Sequence, residues 1–212
     1  MKKIISLAIM LFLLFGAYGC GSIDSKEGLD LLESAFDNLY KEERMTITIN
    51  QSLSAGEEEV QYQRKLIRTL GENPKLYIEE DFGAMASFVT KEWYVIYDEQ
   101  YLILDKEGDF KGHTVISEEN FWDSVNTFVN LGIDLFGSSK EDLKIEGSKR
   151  LFRNTILEVE SQFFKGEVKL DGENLVSING IFEIGQVEAN LNMTFEAKAN
   201  IPTYNIDDFL VF

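Results

Sequence analysis

One cysteine and one histidine stand among 212 residues that carry 37 Asp and Glu against 20 Lys and Arg. These numbers limit the chemistry open to the chain. A lone Cys20 excludes an internal disulfide and any multi-cysteine metal site. His113 is the sole imidazole base. It lies in Lys111-Gly112-His113-Thr114, a turn or strand-end context, and the chain has no Gly-x-Ser-x-Gly elbow. Glu57-Glu58-Glu59 and Asp207-Asp208 are carboxylate clusters, but the alternating Asp/Asn ligands and closing Glu of a calcium loop are missing. Paired carboxylates for glycoside hydrolysis cannot be singled out in so acidic a chain. The expectation is therefore a protein that is not an enzyme, with no catalytic residue, no metal site and no cofactor. The net charge of −17 also disfavours nucleic acid as a partner, because phosphate neutralisation needs clustered Lys and Arg.

Cys20 remains, and its surroundings are specific. Lys2 and Lys3 precede an apolar run from Ile4 to Phe15, broken only by Ser6. That run fits the roughly 7–15 residues of a signal-peptide core and is short of the roughly 20 needed for a membrane-spanning helix. It ends in Gly16-Ala17-Tyr18-Gly19-Cys20, which resembles the bacterial lipobox, small residues before a cysteine. The resemblance implies acylation of the Cys20 sulfur and a new N-terminus there. Residues 1–19 then read as a lipoprotein signal peptide and 20–25 as the lipidated Cys and a short tether. A single domain occupies 26–212, outside the cytoplasm and held to a bacterial membrane, the cell membrane first among them. Two acyl chains suffice for stable anchoring without a basic patch.

The elements that follow alternate between two periods. Leu29, Leu32, Phe36, Leu39 and Tyr40 recur at three- and four-residue steps, an amphipathic helix over Lys26–Glu43 opened by an Asp24/Glu27 capping pair. Strands are expected at 45–50, 59–70 and 75–80, then a hairpin of 93–97 with 101–104. Ser117 opens a second helix whose broad stripe includes Phe121, Trp122, Val125, Phe128 and Phe136, closed by Gly137. Strands return at 155–160, 164–170 and 175–184, with Asp171-Gly172 as a tight turn. The longest alternation runs from Val187 to Ala199. Successive hairpins imply an antiparallel meander, and the absence of a composition break implies one α+β domain.

A lipoprotein signal, an N-terminal helix, meandering strands, a mid-chain helix and further strands is an order that resembles the superfamily of bacterial lipoprotein carriers. Its members are the periplasmic Lol carrier, its outer-membrane acceptor and the mycobacterial lipoproteins that bind glycolipids. The likeness spans residues 25–205, with the paired aromatic strands of Lys91–Asp109 and the terminal Ile201-Pro202 as its local pieces. It implies a strongly curved antiparallel sheet, an incomplete β-barrel, with helices packed on its concave face around an apolar cavity.

The 16 Phe, 8 Tyr and 2 Trp suit either a filled core or such a cavity. The candidate walls are Leu191, Met193 and Phe195 on the long strand and Trp93, Val95 and Tyr97 on the central hairpin. Phe36, Val125 and Phe128 on the helices would close them. Asp81–Ser87 is uncharged after its first residue. It reads either as a core-plugging turn or as an exposed apolar tip that offers Phe82 and Met85 to lipid or a partner. Two functions follow as expectations. One is a membrane-anchored lipoprotein that binds or carries a lipid or other apolar ligand between sheet and helices. The other is a structural or regulatory protein with a filled core that meets an envelope protein partner.

Overall fold

Period-two alternation governs most of the chain, and the computed structural model gathers it into one sheet. The structure describes residues 21–55, 58–71, 74–81, 91–96, 99–104, 110–115, 132–137, 139–149, 153–185, 187–202 and 210–211. Strand β1 (Gly21–Ile23) leads into helix α1 (Ser25–Lys41). A first meander comprises β2 (Arg44–Ala55), β3 (Glu58–Thr69), β4 (Lys75–Asp81), β5 (Lys91–Ile96), β6 (Glu99–Leu104) and β7 (Phe110–Val115). The second comprises β8 (Lys144–Lys149), β9 (Asn154–Glu160), β10 (Phe164–Asp171), β11 (Asn174–Ile184) and β12 (Val187–Glu196). A two-residue strand, β13 (Leu210–Val211), follows.

Among the described residues, the order across the sheet is β1-β8-β9-β10-β11-β12-β2-β3-β4-β5-β6-β7-β13. The pairs are antiparallel apart from β13, which runs parallel to β7. The order is linear, so the sheet is open, with β1 and β13 at its edges. The two meanders join where β12 pairs with β2, Met193 opposite Ile49 and Phe195 opposite Ile47.

The alternation assigns the two faces. On β12, Ala189, Leu191, Met193 and Phe195 are buried while Glu188, Asn190, Asn192 and Glu196 are exposed. The buried parity is shared by Ile47, Leu66, Leu76, Ile78, Leu157, Val168 and Ile178, which form one core cluster with Leu32, Ala35, Phe36 and Leu39 of α1. Asp24 caps that helix as its spacing predicts, its carboxylate accepting from the Glu27 N–H at 2.9 Å. The helix packs on β8 and β11. Ser25 Oγ accepts from the Ile145 N–H at 3.2 Å, and Asn38 donates to the Glu173 carbonyl at 3.3 Å. Gly172 adopts φ 65°, the left-handed turn that Asp171-Gly172 predicts.

Four expectations are revised. Residues 21–23, read as tether, form β1 and pair with Gly147–Lys149 of β8. Ile23, 3% exposed, supplies the apolar anchor that makes this short strand worth forming. The second helix was expected to run through Phe136 to an αL Gly137. Residues 116–131 lie outside the described residues, Gly132 is extended, and Ile133–Leu135 is a single 3-10 turn. Phe136 is wholly buried there, so side-chain burial rather than helical continuity sets this segment. The long strand stops at Glu196, opposite Thr46, two residues short of the start of β2. Thr46 Oγ1 instead donates to the Lys198 carbonyl at 2.7 Å, and the chain turns across the polar face. His113, read at a turn or strand end, lies within β7, opposite Tyr101 of β6 and Val211 of β13.

Candidate functional site

Both faces of the sheet hold groups that could bind. On the α1 face, four rings follow one another. Phe36 and Phe136 centroids are 6.1 Å apart, Phe136 and Phe164 4.9 Å, and Phe164 and Phe182 4.9 Å, all tilted. The Phe164 ring lies over the paired glycines Gly166 and Gly180, where a Cβ on either would overlap it. The Ser161 hydroxyl donates to the Phe136 carbonyl and accepts from the Phe163 and Phe164 N–H groups, tying the Phe136 turn to the start of β10. Of the expected cavity residues, Phe36, Leu191, Met193 and Phe195 come together in the core cluster. Trp93 and Val95 register with Ile78 and Leu76 of β4. Tyr97, Val125 and Phe128 lie outside the described residues, as do Cys20, Phe82 and Met85.

Gly21 registers with Lys149 at one end of the sheet. Following the pairings from β8 to β4 places Asp81 in the row of Glu146, three residues from Lys149. Phe163, 37% exposed, and Val187, 41% exposed, adjoin the β9–β10 and β11–β12 turns at the end opposite Gly21.

The α1 face also carries a polar cluster on β3 and β4. Glu80 accepts from the Tyr62 hydroxyl at 3.0 Å and from Arg64 Nε at 2.7 Å, and Arg64 Nη2 completes an ion pair with it. The Arg64 guanidinium lies 5.5 Å from the Tyr62 ring centroid. Burial pushes the Tyr62 phenol up to about 12, helped by Glu80 and opposed by Arg64. A raised folded value means that Tyr62 supports the fold fully below its ordinary pKa of about 10. That support is lost as pH rises from there through about 12. A difference titration of tyrosinate absorbance between the protein and Tyr62→Phe should show one phenol with a midpoint near 12. A midpoint near 10 would show that the cluster does not shield it.

The opposite face buries Ile67 and Tyr77 near one end, and its polar part forms a trough of about 1130 Å³. Its floor is a register row with one side chain from each of six adjacent strands. Glu167 stands opposite Asn179, Asn179 opposite Asn192, Asn192 opposite Asn50, Asn50 opposite Gln63, and Gln63 opposite Asp81. Gln63 donates to Asn50 Oδ1 at 2.8 Å, and Asn192 donates to Asn179 Oδ1. Beside this row, Asn190 donates to Ser52 Oγ at 3.4 Å. The row continues through Glu158 and Glu146 beside a smaller notch of about 210 Å³. Among the described residues, no three carboxylate, imidazole or thiol groups converge as metal ligands.

The sequence reading treats this face only as solvated. The available signal was compositional: Asn50, Asn190 and Asn192 put amides at strand positions, where Asn is depleted. That Asn179, Asn192, Asn50 and Gln63 share one row was not readable, because it depends on the β12–β2 join.

No family model and no curated protein matches the chain. Among solved structures, the chain is similar to a DUF1329 family protein from Desulfovibrio piger at 10% identity and a TM-score of 0.29. The match covers 85% of this chain and 95% of that one.

Proposed function

We propose that the chain is a membrane-anchored extracytoplasmic lipoprotein, with no enzymatic role, that binds an apolar ligand on the helix face of its sheet. The observation that carries this reading is the breadth of the apolar face. Helix α1 packs on β8 and β11, yet the face continues through Met193, Ile47 and Leu66 to Leu76 and Ile78 on β4. Under the helix, the four phenylalanines fill the interior, so space for a ligand is sought beyond it. There Trp93 and Val95 extend the register of Ile78 and Leu76. Acylation of Cys20 would then attach the membrane almost directly to the sheet edge, since β1 begins one residue later.

Two measurements test this. Cys20→Ala should move the protein from the membrane fraction to the soluble or secreted fraction; retention through detergent-free washing would refute the anchor. The soluble domain should bind a fluorescent fatty acid saturably, with displacement by an unlabelled one, and Ile78→Trp should abolish that binding with little loss of melting temperature, because the larger side chain fills ligand space. Overpacking of a filled core typically destabilises by about 1–3 kcal/mol. No saturable displacement, with that loss of stability, would refute the pocket.

A second reading, an envelope interaction protein with a filled core, is favoured by a different observation. Phe163 and Val187 are exposed at the end of the sheet opposite Gly21. A partner reached there would lie away from the anchoring bilayer.

A further inference from the structure

We infer that the trough on the polar face is a binding site for an uncharged, hydroxyl-rich glycan chain lying across the strands. The site is separate from the apolar ligand reading, since it occupies the other face of the sheet and shares no requirement with it. Its length is set by the backbone: six strands at about 4.7–4.9 Å spacing give a row of about 24 Å. That row is straight by register, from Glu167 through Asn179, Asn192, Asn50 and Gln63 to Asp81.

The chemistry of the row selects the ligand. Its four central side chains are carboxamides, each offering two N–H donors and a carbonyl with two acceptor sites. The bonds within the row orient these groups, Gln63 to Asn50 and Asn192 to Asn179, and use only part of that capacity. Sugar hydroxyls both donate and accept, so a file of oriented amides matches a file of hydroxyls without burying a charge. The carboxylates of Glu167 and Asp81 close the two ends and can accept from further hydroxyls. Glu59, Lys165 and Lys169 also line the trough, so its own charges nearly balance, while the chain as a whole carries −17, which repels a polyanion. Of the side chains on this parity that line the trough, Ile181 is the large apolar one and the others are polar or charged, which gives an acyl chain little side-chain surface to bury against. The volume of about 1130 Å³ accommodates several sugar rings.

The test is calorimetric titration of the soluble domain with two uncharged hexamers, of N-acetylglucosamine and of β-1,4-linked glucose, and with dextran sulfate as the anionic control. Saturable binding of either hexamer supports the site, and the preferred one identifies the sugar class. The double variant Asn50→Ala/Asn192→Ala, both exposed positions, should retain its melting temperature and weaken binding by roughly tenfold or more. Three results would overturn the inference: no saturable binding of either hexamer, binding unaltered in the double variant, or binding of dextran sulfate in preference to both. Fatty-acid displacement should be the same in the double variant as in the parent, so failure of this site and failure of the apolar pocket are read separately.

Discussion

Phe164→Ala should lower the melting temperature by on the order of 10 °C, while Phe163→Ala, one residue away, should leave it nearly unchanged. Phe164 is 1% exposed and sits between the rings of Phe136 and Phe182 at 4.9 Å each. Beneath it the two paired glycines present bare backbone, and the ring packs directly against that part of β10 and β11. Removing it opens a void that neither glycine can fill. Phe→Ala at such a site typically costs about 3–5 kcal/mol, against roughly 5–15 kcal/mol for a whole domain. For a chain of this size each kcal/mol moves the melting temperature by about 2–4 °C. Phe163 is 37% exposed and contributes mainly backbone, its carbonyl accepting from the Glu183 N–H at 3.0 Å. Thermal denaturation of the two variants decides the point. Equal shifts would mean that the ring series is not part of the core.

Arg68→Met should destabilise the fold and loosen the end of α1 in particular. Arg68 stands on the buried parity of β3 and is 2% exposed. Its Nη2 donates to the Leu39 carbonyl at 2.9 Å and to the Glu42 carbonyl at 3.1 Å. These belong to the last turn of α1, whose carbonyls lack helical partners. Burial lowers the pKa of the guanidinium, with Tyr40 and Glu42 opposing that shift. The cation therefore stays because it satisfies the helix end, where the macrodipole also favours positive charge. Methionine fills similar volume but donates nothing, leaving two carbonyls unsatisfied at about 1–3 kcal/mol each when buried. The expected loss is about 2–4 kcal/mol, with the peptide covering Phe36–Glu43 losing hydrogen-exchange protection more than the β10–β11 hairpin does. Protection lost evenly over the sheet and helix would show that Arg68 supports the sheet rather than the helix end.

The sequence determined what is local. Asp24 and Glu27 fixed the start of α1, because a cap needs only its own turn. Asp171-Gly172 fixed the β10–β11 turn, because only glycine enters φ 65° freely. The alternation from Val187 fixed which face of β12 is buried, since side chains reverse at every residue. Cys20 and the apolar run before it set the expectation of a membrane anchor without reference to any fold. Of the candidate pocket, four residues that share a parity or a helix stripe, Phe36, Leu191, Met193 and Phe195, meet in one core.

What the tertiary structure alone decided is long-range pairing. Nothing in residues 44–55 or 187–196 announces that β12 lies beside β2, more than a hundred residues away in the chain, yet that join makes one sheet of two meanders. It also brings Asn192 opposite Asn50 and so creates the amide row. β1 is three residues long, too short for any periodicity, and exists because β8 offers an edge and the core a place for Ile23. The expected end of the second helix gave way to a 3-10 turn because Phe136 is held by Phe36, Phe164 and Ser161. Each of these is a contact between segments distant in sequence. Alternation says which way a strand faces, but the neighbour it faces is chosen by packing and hydrogen bonding across the whole sheet.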